Sequence, residues 1–128
     1  MSIWQQLAVV MAGGALGAGG RFLLGSWLLR ALGGGFPWGT LAVNLLGSFA
    51  AGFLLVWLEQ RGPAALLWRA FLLVGVIGAL TTWSALIIEL HLLQRGGQWW
   101  TGVGYLATSL VGSLALLLAG IRLAGHMQ

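Results

Sequence analysis

Gly75-Val-Ile-Gly-Ala-Leu-Thr-Thr-Trp-Ser-Ala-Leu-Ile-Ile-Glu89 is the stretch on which the fold turns. It lies inside an apolar run of about 69–93, longer than the ~20 residues that a helix needs to cross a bilayer. Gly75, Gly78 and the adjacent Thr81 and Thr82 fall at the depth where the membrane is driest. Glycine and β-branched residues weaken a helix there, so the stretch predicts a membrane-spanning helix broken near its middle. Such a break frees backbone carbonyls, which coordinate cations.

Outward from this segment the same reading extends over the whole chain. Further apolar runs cover about 4–30, 38–58 and 99–123, giving four spans within a single membrane domain of 1–128. The connectors Gly33-Gly34-Gly35-Phe36-Pro37, Glu59-Gln60-Arg61-Gly62-Pro63 and Arg95-Gly96-Gly97-Gln98 combine turn-forming and polar residues. In lipid an open-ended segment satisfies its own backbone only as a helix, so the fold class is an all-α membrane protein. The first, third and fourth runs exceed the bilayer thickness and call for tilt or a break. Met1-Ser2-Ile3-Trp4-Gln5-Gln6 lacks the basic start of a secretory signal, which favours a retained first span.

Composition agrees. Of 128 residues 59% are hydrophobic and 6% charged, against roughly a quarter charged in soluble domains. Mean hydropathy is +0.96. The net charge of +4 comes from six arginines against Glu59 and Glu89, too sparse for a nucleic-acid footprint. Cysteine is absent, which excludes disulfides and thiolate metal sites. With two carboxylates at distant span ends and no Ser/His/acid grouping, no enzymatic constellation is present; His91, two residues from Glu89, points away from it on a helix. Small-residue stripes at Gly13, Gly17 and Gly25 and at Gly104, Thr108 and Gly112 predict close helix packing. Seven of the eight tryptophans mark span ends, and Trp83 alone is mid-span.

Uncharged hydrogen-bonding groups deep in apolar spans are the functional candidates. Thr40, Asn44 and Ser48 share one helix face by their four-residue spacing, as do Tyr105, Ser109 and Ser113. These rows either cross-link helices or line a dehydrated polar track. Asparagine N–H and hydroxyl donors without a nearby negative charge suit a small anion. Arginines divide almost evenly: Arg61, Arg69 and Arg122 on one side, Arg30 and Arg95 on the other with Arg21 snorkelling. That balance permits both insertions and an antiparallel, dual-topology dimer.

At these residues the chain resembles the Fluc (CrcB-like) fluoride channel family over nearly its whole length. The resemblance is carried by Gly13-Gly14, Gly17 and Arg21; by Gly39-Thr40-Leu41, Asn44 and Gly47-Ser48; by Gly78-Ala79-Leu80-Thr81-Thr82-Trp83-Ser84-Ala85-Leu86 through Glu89; and by Gly112-Ser113. It implies a dual-topology homodimer in the cell membrane, of the bacterial inner-membrane type, with two fluoride pores. It also implies a structural sodium ion (Na+) at the dimer centre, held by the backbone carbonyls of Gly78 and Thr81. The pore-lining positions it implies are Thr40, Asn44, Trp83, Ser84, Leu86, Tyr105, Ser109 and Ser113, with Arg21 and Glu89 near the mouths.

One departure stands out. The family lines its pore with two phenylalanines three residues apart, where this chain has Trp83 and Leu86, with Ala85 replacing a threonine between them. Family members that work as heterodimers split the aromatic pair, so a heterodimer-type or non-conducting subunit is the second reading. A small multidrug-type proton-coupled exporter is the third; it needs an acid in the membrane, and the first span carries Arg21 and none.

Overall fold

Ser2 starts the bundle. Its Oγ accepts from the Gln5 amide at 3.2 Å while Gln5 Oε1 accepts from the Ser2 amide at 2.9 Å, a reciprocal box that satisfies two otherwise free donors. From this cap α1 (Ile3–Leu32) runs for 30 residues. It stops where Gly33 takes a φ of +80°, a conformation open to glycine and strained for other residues. In the computed structural model, which describes residues 1–128, α2 (Trp38–Glu59) follows directly after Pro37.

The third span, Gly62–Arg95, is composite. A 3-10 turn at Gly62–Ala64 leads into α3 (Ala65–Trp68), a π-helical segment at Arg69–Ile77 and a last helical turn, α4 (Gly78–Leu80). Thr81 and Thr82 then leave the helix, with ψ of 155° and 121°, before α5 (Trp83–Arg95) resumes it. The chain closes with α6 (Trp99–His126). Four helical spans, no strand and a break in the third agree with the fold class read from the sequence. The π-helical segment was not legible there, and the third span begins at Gly62 rather than near 69.

Helix packing explains the glycines. A Cβ on Gly13 would overlap the Phe71 carbonyl oxygen, and one on Gly17 would overlap that of Val76, so α1 lies backbone to backbone on the π-helical segment. Gly39 meets Gly25 in the same manner between α1 and α2. The second stripe needs correcting. Gly104 faces open space and Gly112 meets only the Leu45 side chain, whereas the close approach of α2 and α6 is made by Gly52 on the Leu117 carbonyl and by Gly120 on that of Phe49. Spacing alone does not say which face of α6 turns inward.

The interior is thin, with Leu41, Leu86 and Tyr105 as its one cluster, bordered by Phe36, Leu45 and Leu90. Outward lie Phe22, Leu23, Trp27, Val74, Val111 and Leu114, all exposed and apolar. A chain that turns such residues outward has lipid, not water, as its solvent. It is a multi-pass membrane protein.

Candidate functional site

The break in the third span is held open by Asn44 of α2. In a continuous helix the Thr82 amide would bond the Gly78 carbonyl. Instead it donates to Asn44 Oδ1 at 2.7 Å, and Asn44 Nδ2 donates back to the Thr82 carbonyl at 3.0 Å. Thr82 Oγ1 in turn accepts from the Ala85 amide at 3.3 Å, capping α5 and diverting the donor that the Thr81 carbonyl would otherwise receive. The Gly78 and Thr81 carbonyls thus both lose their regular helical donors, which fits them to coordinate a cation. Thr81 itself is tied back to the Ile77 carbonyl by its amide at 3.0 Å and its hydroxyl at 2.9 Å.

Two clefts meet at this junction, and Thr82 borders both. The deeper one, about 370 Å³, is lined by Asn44, Ser48, Thr81, Trp83, Ser109 and Ser113 among others, with no charged side chain. Ser109 is 4% exposed and its Oγ has no hydrogen-bond partner in the protein. An unpaired buried hydroxyl costs about 1–3 kcal/mol, so such a group marks a place where something else supplies the partner. Asn44 has one N–H beyond that spent on Thr82. Trp83 stands at the rim, 62% exposed.

The second cleft, about 390 Å³, opens beside the α1–α2 connector and is lined by Arg21, Ser26, Phe36, Thr40, Thr82 and Glu89 among others. Glu89 is clamped here across three spans. Thr40 Oγ1 donates to one carboxylate oxygen and the Tyr105 hydroxyl to the other, at 2.9 Å. Two donors spread the carboxylate's charge into the bundle and fix its direction.

The candidate residues therefore separate into groups. Asn44, Trp83, Leu86, Ser109 and Ser113 share the deep cleft, and Thr40, Arg21 and Glu89 the outer one. Tyr105, 1% exposed, lines neither and reaches the outer group through its hydroxyl. Leu86 contributes wall to the deep cleft, yet at 2% exposure its bulk belongs to the core with Leu41 and Tyr105. Ser84 lines neither cleft; it is exposed, and its Oγ lies 3.3 Å from Thr82 Oγ1. The parts played by two residues are not legible in the sequence. Thr82 acts mostly through its backbone, which no side-chain pattern reports. Phe36 lies in a connector, and its ring sits edge-on to Tyr105 at 5.3 Å.

Four membrane spans, a helix broken at mid-depth and an uncharged, donor-lined cleft beside the break define the class as a membrane protein built to pass a small solute. The chain belongs to the family described as CrcB-like protein, Camphor Resistance (CrcB), whose model matches residues 8–121. It is similar to proteins named fluoride-specific ion channel FluC. That of Xanthomonas euvesicatoria pv. vesicatoria (strain 85-10) is 56% identical over 120 residues, 93% of this chain and 90% of the relative. That of Xylella fastidiosa (strain 9a5c) is 52% identical over 124 residues, 97% and 87%. That of Agrobacterium fabrum (strain C58 / ATCC 33970) is 40% identical over 121 residues, 94% and 97%.

Proposed function

We propose that this protein is a fluoride-selective channel, a passive conductor and not an enzyme. The observation that carries the reading is the partnerless Ser109 hydroxyl in a cleft that Asn44, Ser48 and Ser113 also line. Fluoride is small and tightly hydrated, so it crosses a low-dielectric region only where fixed donors replace its water. Hydroxyls, the remaining Asn44 N–H and the Trp83 indole N–H are such donors. Arg21 raises the local concentration of anions in the outer cleft. Glu89 would repel them, and its two hydrogen bonds direct its charge toward Thr40 and Tyr105.

The channel is an antiparallel, dual-topology homodimer in this reading. The balanced arginines support it, as do the apolar faces and the open rim of the deep cleft at Trp83, which a second copy would cover. The carbonyls of Gly78 and Thr81 are the groups proposed to hold a structural sodium ion at the dimer centre. When bound, the ion would neutralise the partial negative charge of those carbonyls and fix the two breaks against each other.

The test is ion-specific efflux from liposomes reconstituted with the purified chain. Fluoride release with chloride retained supports the reading, and equal release of both anions refutes it. Release of fluoride only after co-reconstitution with a second family member would assign the chain to a heterodimer instead.

A further inference from the structure

Phe36 belongs to no helix and its one hydrogen bond is made by its backbone carbonyl, which accepts from the Trp38 amide at 2.9 Å, yet its ring is the connector side chain that packs on Tyr105 beside the polar cluster. The three glycines before it carry the chain round from α1, and Pro37 then fixes the backbone at the start of α2. Between these two constraints the Phe36 ring is pressed inward. It meets Trp38 at 4.7 Å and Tyr105 at 5.3 Å with the planes of the latter pair 74° apart, the edge-on geometry that aromatic pairs favour.

Tyr105 is the consequential neighbour. Its ring packs in one cluster with Leu41 and Leu86, with Phe36 against it, and its hydroxyl donates to Glu89. Glu89 borders not only the Arg21 cleft but a third cleft, about 380 Å³, on the other side of the connector, where Gly34, Pro37 and Leu92 are among the walls. Glu89 therefore stands where the two clefts adjoin, with its carboxylate held by Thr40 and Tyr105. Which way it turns decides whether an anion there meets a charge already engaged by two donors or a bare oxygen.

We infer that Phe36 is a positioning residue for the anion's passage: by its edge-on contact it holds the Tyr105 ring so that the hydroxyl stays on Glu89, and so keeps the carboxylate turned toward the bundle. The inference rests on the fluoride reading for its effect on flux, but its structural half does not. Without the ring, Tyr105 gains room to rotate, one Glu89 oxygen loses its donor, and unbalanced negative charge faces the path of the ion. Removing Phe36 then repeats the consequence of removing the Tyr105 hydroxyl, by a different route.

A double-mutant cycle separates this from simple loss of packing. Phe36→Leu is expected to slow initial fluoride efflux from liposomes about three- to tenfold, the range an edge-on aromatic pair represents in an equilibrium. In a Tyr105→Phe background the same change should have no further effect. The independent readout is the infrared carboxylate stretch of Glu89, assignable by difference with Glu89→Gln because Glu59 is the only other carboxyl side chain. Phe36→Leu should shift that band toward its position in Tyr105→Phe, and Phe36→Tyr, which keeps the ring, should leave it in place. Phe36→Met is the second ring-free variant should Phe36→Leu fold poorly. An unmoved band in the ring-free variants, or flux losses that multiply in the double mutant, overturns the inference. A shifted band in a protein that releases no fluoride even as wild type would leave the coupling standing and refute the channel reading instead.

Discussion

The two clefts that meet at Thr82 share α2 and the third span, but the outer one is completed by α1 and the deep one by α6, and one is charged while the other is not. The outer cleft reaches the α1–α2 connector and carries Arg21 and Glu89. The deep cleft lies against the middles of α2 and α6 and carries only amide, hydroxyl and indole groups. Charges beside a connector at a span end lie near the membrane surface, where water and counter-ions screen them. In the deep cleft a fixed cation would trap an anion and a fixed carboxylate would exclude it. Neutral donors sit between these extremes, favourable enough to replace water and weak enough to release the ion.

The largest test of this contrast is to place charge in the neutral cleft. Asn44→Asp removes the donor to the Thr82 carbonyl and sets an anion against it. Fluoride efflux should fall to that of empty liposomes, and the thermal midpoint in detergent should drop by the equivalent of about 1–3 kcal/mol or more. Retained flux in this variant would mean that Asn44 lies off the path and that the junction does not need it.

Leu86→Ala bears on which side of the cleft wall this residue serves. As a core residue it should cost about 2–5 kcal/mol in stability, read as a lowered thermal midpoint. Restoring a ring there by Leu86→Phe overfills the same site, at about 1–3 kcal/mol. A stable Leu86→Phe protein that conducts faster than wild type would instead place residue 86 in the ion's path.

Arg21→Gln examines the charged cleft from its other end. Efflux should fall about tenfold at low salt and much less near 1 M, where the screening length shrinks to about 3 Å. A salt-independent loss would make Arg21 a direct ligand rather than an attractor. Trp83→Phe should give the smallest change, about two- to threefold, because a ring edge remains and only one neutral donor is lost.

Much of this architecture was legible in the sequence, because bilayer thickness and backbone hydrogen bonding leave few choices. The break was legible as a weak point, because glycines and paired β-branched threonines lower helix propensity at mid-depth, although α1 shows that glycines alone do not break a span. What holds it open was not. Asn44 reads as a free donor on a polar face, and only the fold shows that most of its carboxamide is committed to Thr82. Glu89 reads as a mouth residue, but nothing in a linear pattern joins it to Thr40 and Tyr105 from two other spans. Likewise the spacing of Gly104, Thr108 and Gly112 fits a packing face, while the face that packs carries Gly120. Side-chain periodicity reports that a face exists, and tertiary contact decides which one is used.

Ser109→Ala tests the central claim most directly, since that hydroxyl has no partner within the protein. Deleting it breaks no internal hydrogen bond, so the thermal midpoint should stay unchanged or rise. If the ion is its partner, initial fluoride efflux should fall about tenfold, the worth of one hydrogen bond at the upper end of the neutral range. Efflux equal to wild type, or a loss of stability that accounts for the loss of efflux, would contradict the assignment of the deep cleft as the fluoride path.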